Sequence, residues 1–407
     1  MGVSGFRPPR GMCFVFHFRC KFRRRYVRLW SGRTAATWCG RCHARQQAKK
    51  QQNNRKHGVQ ARARAVLSVV VKLSFHRGLL HKRQSARQDD RTLRECYDFA
   101  QHDSMKTVLI TGASGLLGRP LVRAFQAASW SVTGLAHSRA SGELLSVDLT
   151  DAKLTEKIVT EKRPNVIVHS AAQRFPDKVE KDYDGSYALN VTASKNLAAL
   201  ADAVGAAFIF ISTDYVFDGR DPPYSESAKP NPLNKYGKTK AEAERAVLSA
   251  KPDAVVLRVP VLYGGEEYVA ESSVSVLCEL LNDRSKHVKA SDYEIRYPSH
   301  TEDIAFIVVQ LAERGRKDRS VSGVYQWCGL EPLTKYAMVR AIGQAHGLST
   351  DHVSPDAEPS SGAPRPRDCR LEHSRLQQLG IARHTPFAQG VAGFAKFLRP
   401  AAGQHHA

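Results

Sequence analysis

The sequence predicts an α/β protein: a doubly wound parallel sheet with a smaller C-terminal lobe. Three observations predict it. Short apolar runs alternate with stretches of helical periodicity, which is typical of parallel strands joined by right-handed helical crossovers. A glycine-rich turn joins the first strand to the first helix. After Gly264 the alternation is less regular and prolines recur, which indicates a partly helical lobe for a substrate.

The predicted strands are the apolar runs 106–110, 131–136, 166–169, 207–211 and 254–258. The clearest predicted helix covers residues 191–204, and another runs from the glycine turn to Ala127. We expect one folded region, residues 105–398, that combines a dinucleotide-binding sheet with the substrate lobe. A short tail, residues 399–407, follows it.

Residues 1–104 form a basic extension that we expect to lie outside the fold. They hold 24 Lys and Arg residues against 5 Asp and Glu residues, so 19 of the net charge of +22 lies there. Such a segment, without a sustained apolar period, does not bury a core. Three interpretations stay open: an organelle transit peptide, a basic tail for RNA or anionic lipid, or upstream sequence that is not normally translated.

The remaining residues carry nearly balanced charge, 37 basic against 34 acidic, so we expect no nucleic-acid partner for the fold. No stretch reaches the roughly 18 apolar residues of a membrane span, and we expect a cytoplasmic protein unless the extension targets an organelle. Residues 39–43 match the haem c attachment spacing, but we reject haem because no pocket context surrounds them. We expect no metal site, and reduced thiols at Cys278, Cys328 and Cys369.

The turn Gly112-x-x-Gly115-x-x-Gly118 predicts a Rossmann-type dinucleotide site, because it follows a strand and opens a helix. A plain glycine-rich turn is the alternative. An NAD site would place Asp or Glu near the end of the second strand, but this chain has Arg139 there, with His137 or Arg119 as helpers. Cations suit a 2′-phosphate, so we expect NADP(H), although Arg139 could be a solvated loop charge.

Asp148 is placed to close the adenine pocket, or alternatively to cap the following helix. Tyr236 and Lys240 lie four residues apart and so share one helix face, whereas Lys238 points elsewhere. We expect the charge of Lys240 to lower the pKa of Tyr236 toward working pH, making the phenol a proton donor to a carbonyl oxygen. Thr213 ends the preceding strand and is expected to hold that carbonyl; an ST-turn or helix cap is its alternative.

These residues together resemble the extended short-chain dehydrogenase/reductases. The longer segments 212–219, 222–224, 233–240 and 258–264 are similar to the dTDP-4-dehydrorhamnose reductase group. Segments 171–177, 296–300, 333–336 and 362–367 most resemble its eukaryotic offshoot, the regulatory β subunits of methionine adenosyltransferase. The resemblance covers residues 105–395 and implies a cofactor-binding set of Thr111, Gly112, Gly115, Leu116, Leu117, Gly118, His137, Arg139, Asp148, Leu149, Ala171, Ala172, Asn190, Tyr236, Lys240 and Pro260.

The resemblance implies two functions. In the regulatory subunits the pocket holds NADP while the protein binds the catalytic subunit that makes S-adenosylmethionine. In the reductases NADPH reduces a 4-keto nucleotide-sugar, which gives Thr213, Tyr236 and Lys240 catalytic roles. Thr213 stands where the regulatory subunits often have Ser, which favours chemistry, whereas the segment 365–369 follows the regulatory pattern. The resemblance also implies an extended tail that reaches the partner, whereas Leu398 is followed here by Arg-Pro-Ala-Ala-Gly-Gln-His-His-Ala, so we expect the mode of partner binding to differ if that tail is absent.

Overall fold

The strands and helices of the structure, a computed structural model, are described over residues 106–399. The strands are β1 (Thr107–Thr111), β2 (Ser131–Ala136), β3 (Leu145–Ser146), β4 (Val166–His169), β5 (Ala207–Thr213), β6 (Val255–Val259), β7 (Leu262–Tyr263), β8 (Val288–Ser291), β9 (Ser299–His300), β10 (Gly323–Gln326) and β11 (Val353–Asp356). The α-helices are α1 (Gly118–Ala127), α2 (Ala152–Lys162), α3 (Pro176–Lys181), α4 (Tyr183–Tyr187), α5 (Ala193–Ala203), α6 (Lys235–Ala250), α7 (Leu277–Asn282), α8 (Thr301–Gly315), α9 (Lys335–Ala345), α10 (Ser374–Gln378) and α11 (Phe387–Gly390).

Seven of these strands form a parallel sheet in the order β10-β6-β5-β4-β1-β2-β3. The order reverses beside β1, where β2 and β4 flank it on opposite sides. In doubly wound sheets ligands bind at such a reversal, outside the carboxyl ends of the strands. The structure thus confirms the predicted fold class.

Alternate residues of the strands face two separate helix layers. Val108 and Ile110 pack with apolar side chains of α1 and α8, whereas Leu109, between them, packs with those of α2, α5 and α6. Every residue of β5 is buried. A strand that is covered on both faces loses the polar alternation of a half-exposed strand, which is why continuous apolar runs marked these strands in the sequence.

The region after Gly264 does not form the smaller lobe alone. The lobe contains the short pairs β8–β11 and β7–β9 and its own apolar core, which includes Leu277, Val339 and Phe387. However, α8 packs on the main core, and β10 extends the main sheet beside β6. The sequence analysis missed β10, because its four residues, Gly-Val-Tyr-Gln, carry too short an apolar pattern.

Several predictions concern residues outside the described range: the nature of the extension 1–104, the Cys39–His43 segment, and the tail beyond residue 399. Within residues 106–399, Cys278, Cys328 and Cys369 are buried free thiols. The same residues contain no helix with the length and apolarity needed to cross a membrane. Nor do they bring together three or more His, Cys, Asp and Glu side chains in a group able to hold a metal ion.

A buried ion pair joins α6 to the sheet. The Arg258 guanidinium on β6 donates to both carboxylate oxygens of Glu244 on α6, from Nη2 at 2.7 Å and from Nε at 3.0 Å. Ser212 Oγ donates to the same carboxylate, and Arg258 Nη1 donates to Gln326 on β10 at 3.2 Å. Both charged side chains are nearly inaccessible to solvent. The pair therefore fixes the helix that carries Tyr236 and Lys240 against the strand ends.

We expect Arg258→Met to lower the free energy of unfolding by about 3–5 kcal/mol, because Glu244 would remain buried without its cation. Chemical denaturation of the purified variants measures this. The double variant Arg258→Met/Glu244→Met should lose less stability than the single one, since no buried charge is left unpaired. The control is Arg319→Met, which removes a half-exposed pair with Asp253 and should cost less than about 1 kcal/mol. Equal losses in the double and single variants would contradict the assignment.

Candidate functional site

A cavity of about 970 Å³ opens at the carboxyl ends of β1, β4 and β5, which is large enough for a dinucleotide or drug-sized ligand. Most of the predicted site residues line it: Gly112, Gly115, Leu116, Leu117, Gly118, His137, Arg139, Asp148, Leu149, Ala171, Ala172, Thr213, Tyr236, Lys240 and Pro260. Residues from seven separate chain segments therefore meet at the place where the topology of the sheet predicts a ligand.

Two predicted residues, Thr111 and Asn190, lie behind the cavity wall instead of lining it. Thr111 Oγ1 lies 2.7 Å from Nδ1 of the buried His169. Asn190 Oδ1 accepts a hydrogen bond from Gln173 N at 2.8 Å, and its Nδ2 donates to the Thr239 hydroxyl. Asn190 belongs to a single π-helical turn, Ala188–Thr192, a feature that often marks functional sites. Both side chains hold the loops that form the wall.

The glycine turn brings backbone close to backbone. Gly112 has φ +68°, a conformation that disfavours other residues. A Cβ on Gly118 would lie 1.9 Å from Gly112 O, and one on Gly112 would lie 3.0 Å from the backbone of Ala171. Only glycine at residues 112 and 118 therefore lets the turn, α1 and the loop after β4 pack this tightly.

This packing leaves peptide N–H groups at the cavity. Gly115 N donates to Gly112 O at 2.9 Å, but the amides of Leu116 and Leu117 have no hydrogen-bond acceptor within residues 106–399. They lie at the N-terminus of α1, where orphan N–H groups and the helix dipole favour an anion. The turn therefore fits the pyrophosphate of a dinucleotide.

The cationic end of the cavity differs from the sequence expectation. Arg139 and His137 line it, but Arg119 does not. The Arg119 guanidinium donates to Ser114 O, Gly265 O and both carboxylate oxygens of Glu271 at 2.7–2.9 Å. Arg119 is therefore committed to protein acceptors and is unsuited to be a second ligand of a 2′-phosphate.

Asp148 forms a turn and does not cap α2. Its Oδ1 accepts from the N–H of Thr150 at 2.9 Å and from the Thr150 hydroxyl at 2.7 Å, and these bonds hold its pKa below the usual range. The cap of α2 is Asp151, whose side chain accepts from Leu154 N. The alternative of a helix cap is therefore wrong for Asp148, which lies at the cavity instead.

Thr213, Tyr236 and Lys240 all line the cavity. Lys240 Nζ donates to Ile211 O on β5 at 2.7 Å and lies 3.9 Å from the centre of the Phe210 ring, while Lys238 is exposed as predicted. Thr213 also caps the short 3-10 turn Asp214–Val216, since its Oγ1 accepts from Tyr215 N at 3.2 Å. Thr213 is therefore a helix cap, as the alternative interpretation had it, and it also lines the cavity.

The expected effect of Lys240 on Tyr236 is wrong. Burial raises the pKa of Tyr236 to about 12; a hydrogen bond with Thr213 lowers it and the charge of Asp214 raises it further. Burial also lowers the pKa of Lys240 to about 7, against an opposing effect of Glu244. An ammonium that is itself half-deprotonated near neutral pH cannot hold a buried phenol at a low pKa.

The structure adds residues that the sequence analysis did not single out. Arg174, which follows β4, also lines the cavity, and its guanidinium stacks on Phe175 with 4.3 Å between the Arg Cζ and the ring centre. The cavity is also lined by Asp214, Tyr215, Glu294, Arg296, Lys335 and Arg365. Burial raises the pKa of Asp214 to about 6. All of these residues except Glu294 lie in the segments that carry the family resemblance, but nothing in those segments marks them as lining a common cavity.

Lys335 stands out among these cations. Arg365 pairs with Asp177 at 2.9 Å, and Arg296 donates to Pro366 O and to the Tyr215 hydroxyl. The side-chain ammonium of Lys335 has no hydrogen bond or ion pair within residues 106–399. Burial, together with the charges of Arg365 and Arg296, lowers its pKa. These three cations line the cavity and could donate hydrogen bonds to an anionic ligand.

We expect Lys240→Met to change how stability depends on pH. Because the pKa of Lys240 falls from 10.5 to about 7 on folding, the folded state has lost a proton that the unfolded state keeps between these values. The contribution of Lys240 to the free energy of unfolding is therefore fully present above about pH 10.5 and is lost as the pH falls through 7. The difference in unfolding free energy between the wild type and Lys240→Met should therefore rise by about 1.4 kcal/mol per pH unit in that window.

Denaturant unfolding at several pH values between neutrality and about pH 9.5, below the usual pKa of lysine, measures this slope. Lys238→Met removes an exposed lysine from the same helix and should leave the slope unchanged. Parallel stability curves for the wild type and Lys240→Met would show that Lys240 keeps an ordinary pKa in the fold.

Comparison with known proteins agrees with this geometry. Residues 105–399 match the family model described as the RmlD substrate binding domain. The methionine adenosyltransferase 2 subunit beta of Xenopus tropicalis is 44% identical over 287 residues, which is 70% of this chain and 86% of that protein. The dTDP-4-dehydrorhamnose reductase of Mycolicibacterium smegmatis is 31% identical over 280 residues, which is 67% of this chain and 80% of that protein.

A solved structure is also similar. The crystal structure of dTDP-4-dehydrorhamnose reductase from Bacillus anthracis in complex with NADP gives a TM-score of 0.62 at 25% identity, covering 71% of this chain and 97% of that one. These matches confirm the resemblance that the motifs indicated. The chain belongs to the RmlD substrate binding domain family, in the group of the methionine adenosyltransferase 2 subunit beta proteins.

Proposed function

We propose that this chain is an NADP(H)-binding regulatory β subunit that associates with a methionine adenosyltransferase catalytic subunit and so supports S-adenosylmethionine synthesis. The observation that carries the proposal is the 44% identity to methionine adenosyltransferase 2 subunit beta over 86% of that protein. The cavity supports it, because its glycine turn and cationic end suit a phosphorylated dinucleotide.

The residues of the cavity give each part of NADP(H) a partner. The free amides of Leu116 and Leu117 would donate to the pyrophosphate, and Arg139 with His137 would hold the 2′-phosphate. Asp148 and Leu149 would border the adenine, and Lys240 would bind the nicotinamide ribose. The remaining predicted residues that line the cavity, from Ala171 to Pro260, would contact the cofactor through van der Waals packing. When bound, the nicotinamide supplies hydride chemistry.

Association with the catalytic subunit is proposed for the whole folded region, residues 105–399. The match covers 86% of the relative. This supports a role for the whole folded region, because a binding surface shared with that relative would require most of its fold to be present. Cytoplasmic localisation belongs to the same proposal.

The test is complex formation between the full chain and a purified methionine adenosyltransferase catalytic subunit at micromolar concentration. We expect the two to elute together from a sizing column, and the methionine kinetics of the catalytic subunit to change on addition of this chain. Separate elution together with unchanged kinetics would overturn the proposal. A second RmlD-family protein, such as a bacterial dTDP-4-dehydrorhamnose reductase, is the matched control for nonspecific association.

A second candidate function is reduction of a 4-keto nucleotide-sugar. The observation that favours it is the presence of Thr213, Tyr236 and Lys240 in one cavity, beside the cations Arg296, Lys335 and Arg365 that suit a diphosphate. In this reaction NADPH transfers a hydride to the keto carbon. Thr213 would orient the carbonyl, and the Tyr236 hydroxyl would give its proton to the carbonyl oxygen, yielding the alcohol and NADP⁺.

We expect any such activity to fall by at least about 100-fold in Tyr236→Phe, which removes the proton but keeps the ring. The loss of NADPH absorbance with a panel of dTDP-4-keto-deoxysugars measures it. Tyr336→Phe is the control, because that hydroxyl contacts the exposed Arg340 and lies outside the cavity lining. Absence of turnover across the panel would remove the reductase candidate and leave the regulatory one in place.

A further inference from the structure

Two glutamates of one loop neutralise the arginines at the cationic end of the cavity. Glu267 and Glu271 follow β7, and each approaches both Arg119 and Arg139. Two carboxylates thus face two guanidinium groups, so this cluster carries no net charge. We call the segment 265–271 the acidic clasp.

Glu271 anchors the clasp. Its side chain is fully buried, it binds Arg119 through both oxygens, and its Oε2 accepts from the N–H of Glu267 at 2.8 Å. These bonds hold its pKa below the usual range in spite of burial. Glu271 therefore stays ionised and fixes the position of Glu267.

Glu267 and Arg139 make a much weaker contact. Their closest atoms are 3.5 Å apart, and both side chains are substantially exposed, 55% for Glu267 and 42% for Arg139. Arg139 uses only Nη1 toward the clasp, whereas its Nε and Nη2 donate to no acceptor within residues 106–399. Arg139 is therefore held at one nitrogen and keeps two donating groups for a ligand oxyanion.

We propose that Glu267 is a specificity-determining residue that keeps the affinity for the 2′-phosphate of NADP(H) below what Arg139 alone would permit. This inference rests on the proposed cofactor site. Glu267 is outside the cavity lining, but its carboxylate lies 3.5 Å from the guanidinium of Arg139, which does line the cavity, so it would repel a phosphate bound to that guanidinium. Because NADH has no 2′-phosphate, Glu267 lowers the preference of the chain for NADPH over NADH.

The experiment compares NADPH and NADH binding to the full chain and to Glu267→Gln, by calorimetry at low and at physiological ionic strength. Glutamine keeps the shape of the side chain and removes its charge. We expect NADPH to bind about 3- to 10-fold more tightly to the variant at low ionic strength, with a smaller gain at higher salt. NADH lacks the 2′-phosphate, so its affinity should stay within about 2-fold.

Glu302→Gln is the matched control. Glu302 pairs with Arg123 on the same helix as Arg119, with similar exposure, but neither residue lines the cavity. This variant should leave the ratio of NADPH to NADH affinity unchanged. In an Arg139→Gln background, Glu267→Gln should give a distinctly smaller gain, because the phosphate has lost its main partner.

The outcomes separate the two claims. If the wild type binds NADPH and Glu267→Gln leaves the NADPH to NADH ratio unchanged, or lowers it, the clasp has no such role while the cofactor proposal stands. If neither the wild type nor any of the variants binds either nucleotide, the cofactor proposal fails and this inference fails with it. An equal gain for NADPH and NADH would also overturn the inference, because it would locate the effect away from the 2′-phosphate.

Discussion

The close approach of Gly118 to Gly112 is the constraint on which the site depends. No side chain fits between them, since a Cβ on Gly118 would reach within 1.9 Å of Gly112 O. The approach sets α1 directly behind β1 and points the unpaired amides of Leu116 and Leu117 at the cavity. The anion site is therefore made of backbone, and its chemistry follows from the fold and not from particular side chains.

The opposite wall depends on buried polar bonds. Arg258 and Glu244 fix α6 to β6, and Lys240 reaches across to the carbonyl of Ile211 on β5. These bonds are buried, so a polar group that loses its partner would remain without a hydrogen bond. The same burial raises the pKa of Tyr236 and lowers that of Lys240. The burial that anchors α6 therefore also sets the pKa values of the two titratable groups that it carries.

Much of this arrangement could be predicted from local sequence. Buried parallel strands are continuous apolar runs, and the glycine spacing has one structural context, so β1, β2, β4, β5, β6 and the turn at Gly112 were found. Features that depend on contacts between distant residues could not be predicted in this way. The sequence offers Arg119 as a helper of Arg139, but Glu271, far along the chain, binds Arg119. Likewise, the spacing of Tyr236 and Lys240 places them on one face but does not report how deeply the fold buries them.

The central claim is that the glycine turn and its neighbours bind NADP(H), and calorimetric titration of the full chain with NADPH tests it most directly. The account predicts saturable binding that Gly115→Asp abolishes, because the new carboxylate would occupy the position of the phosphates. Gly393→Asp, at a glycine with open space around it, should leave binding intact. The absence of heat with both NADPH and NADP⁺, or binding that is indifferent to Gly115→Asp, would contradict the account.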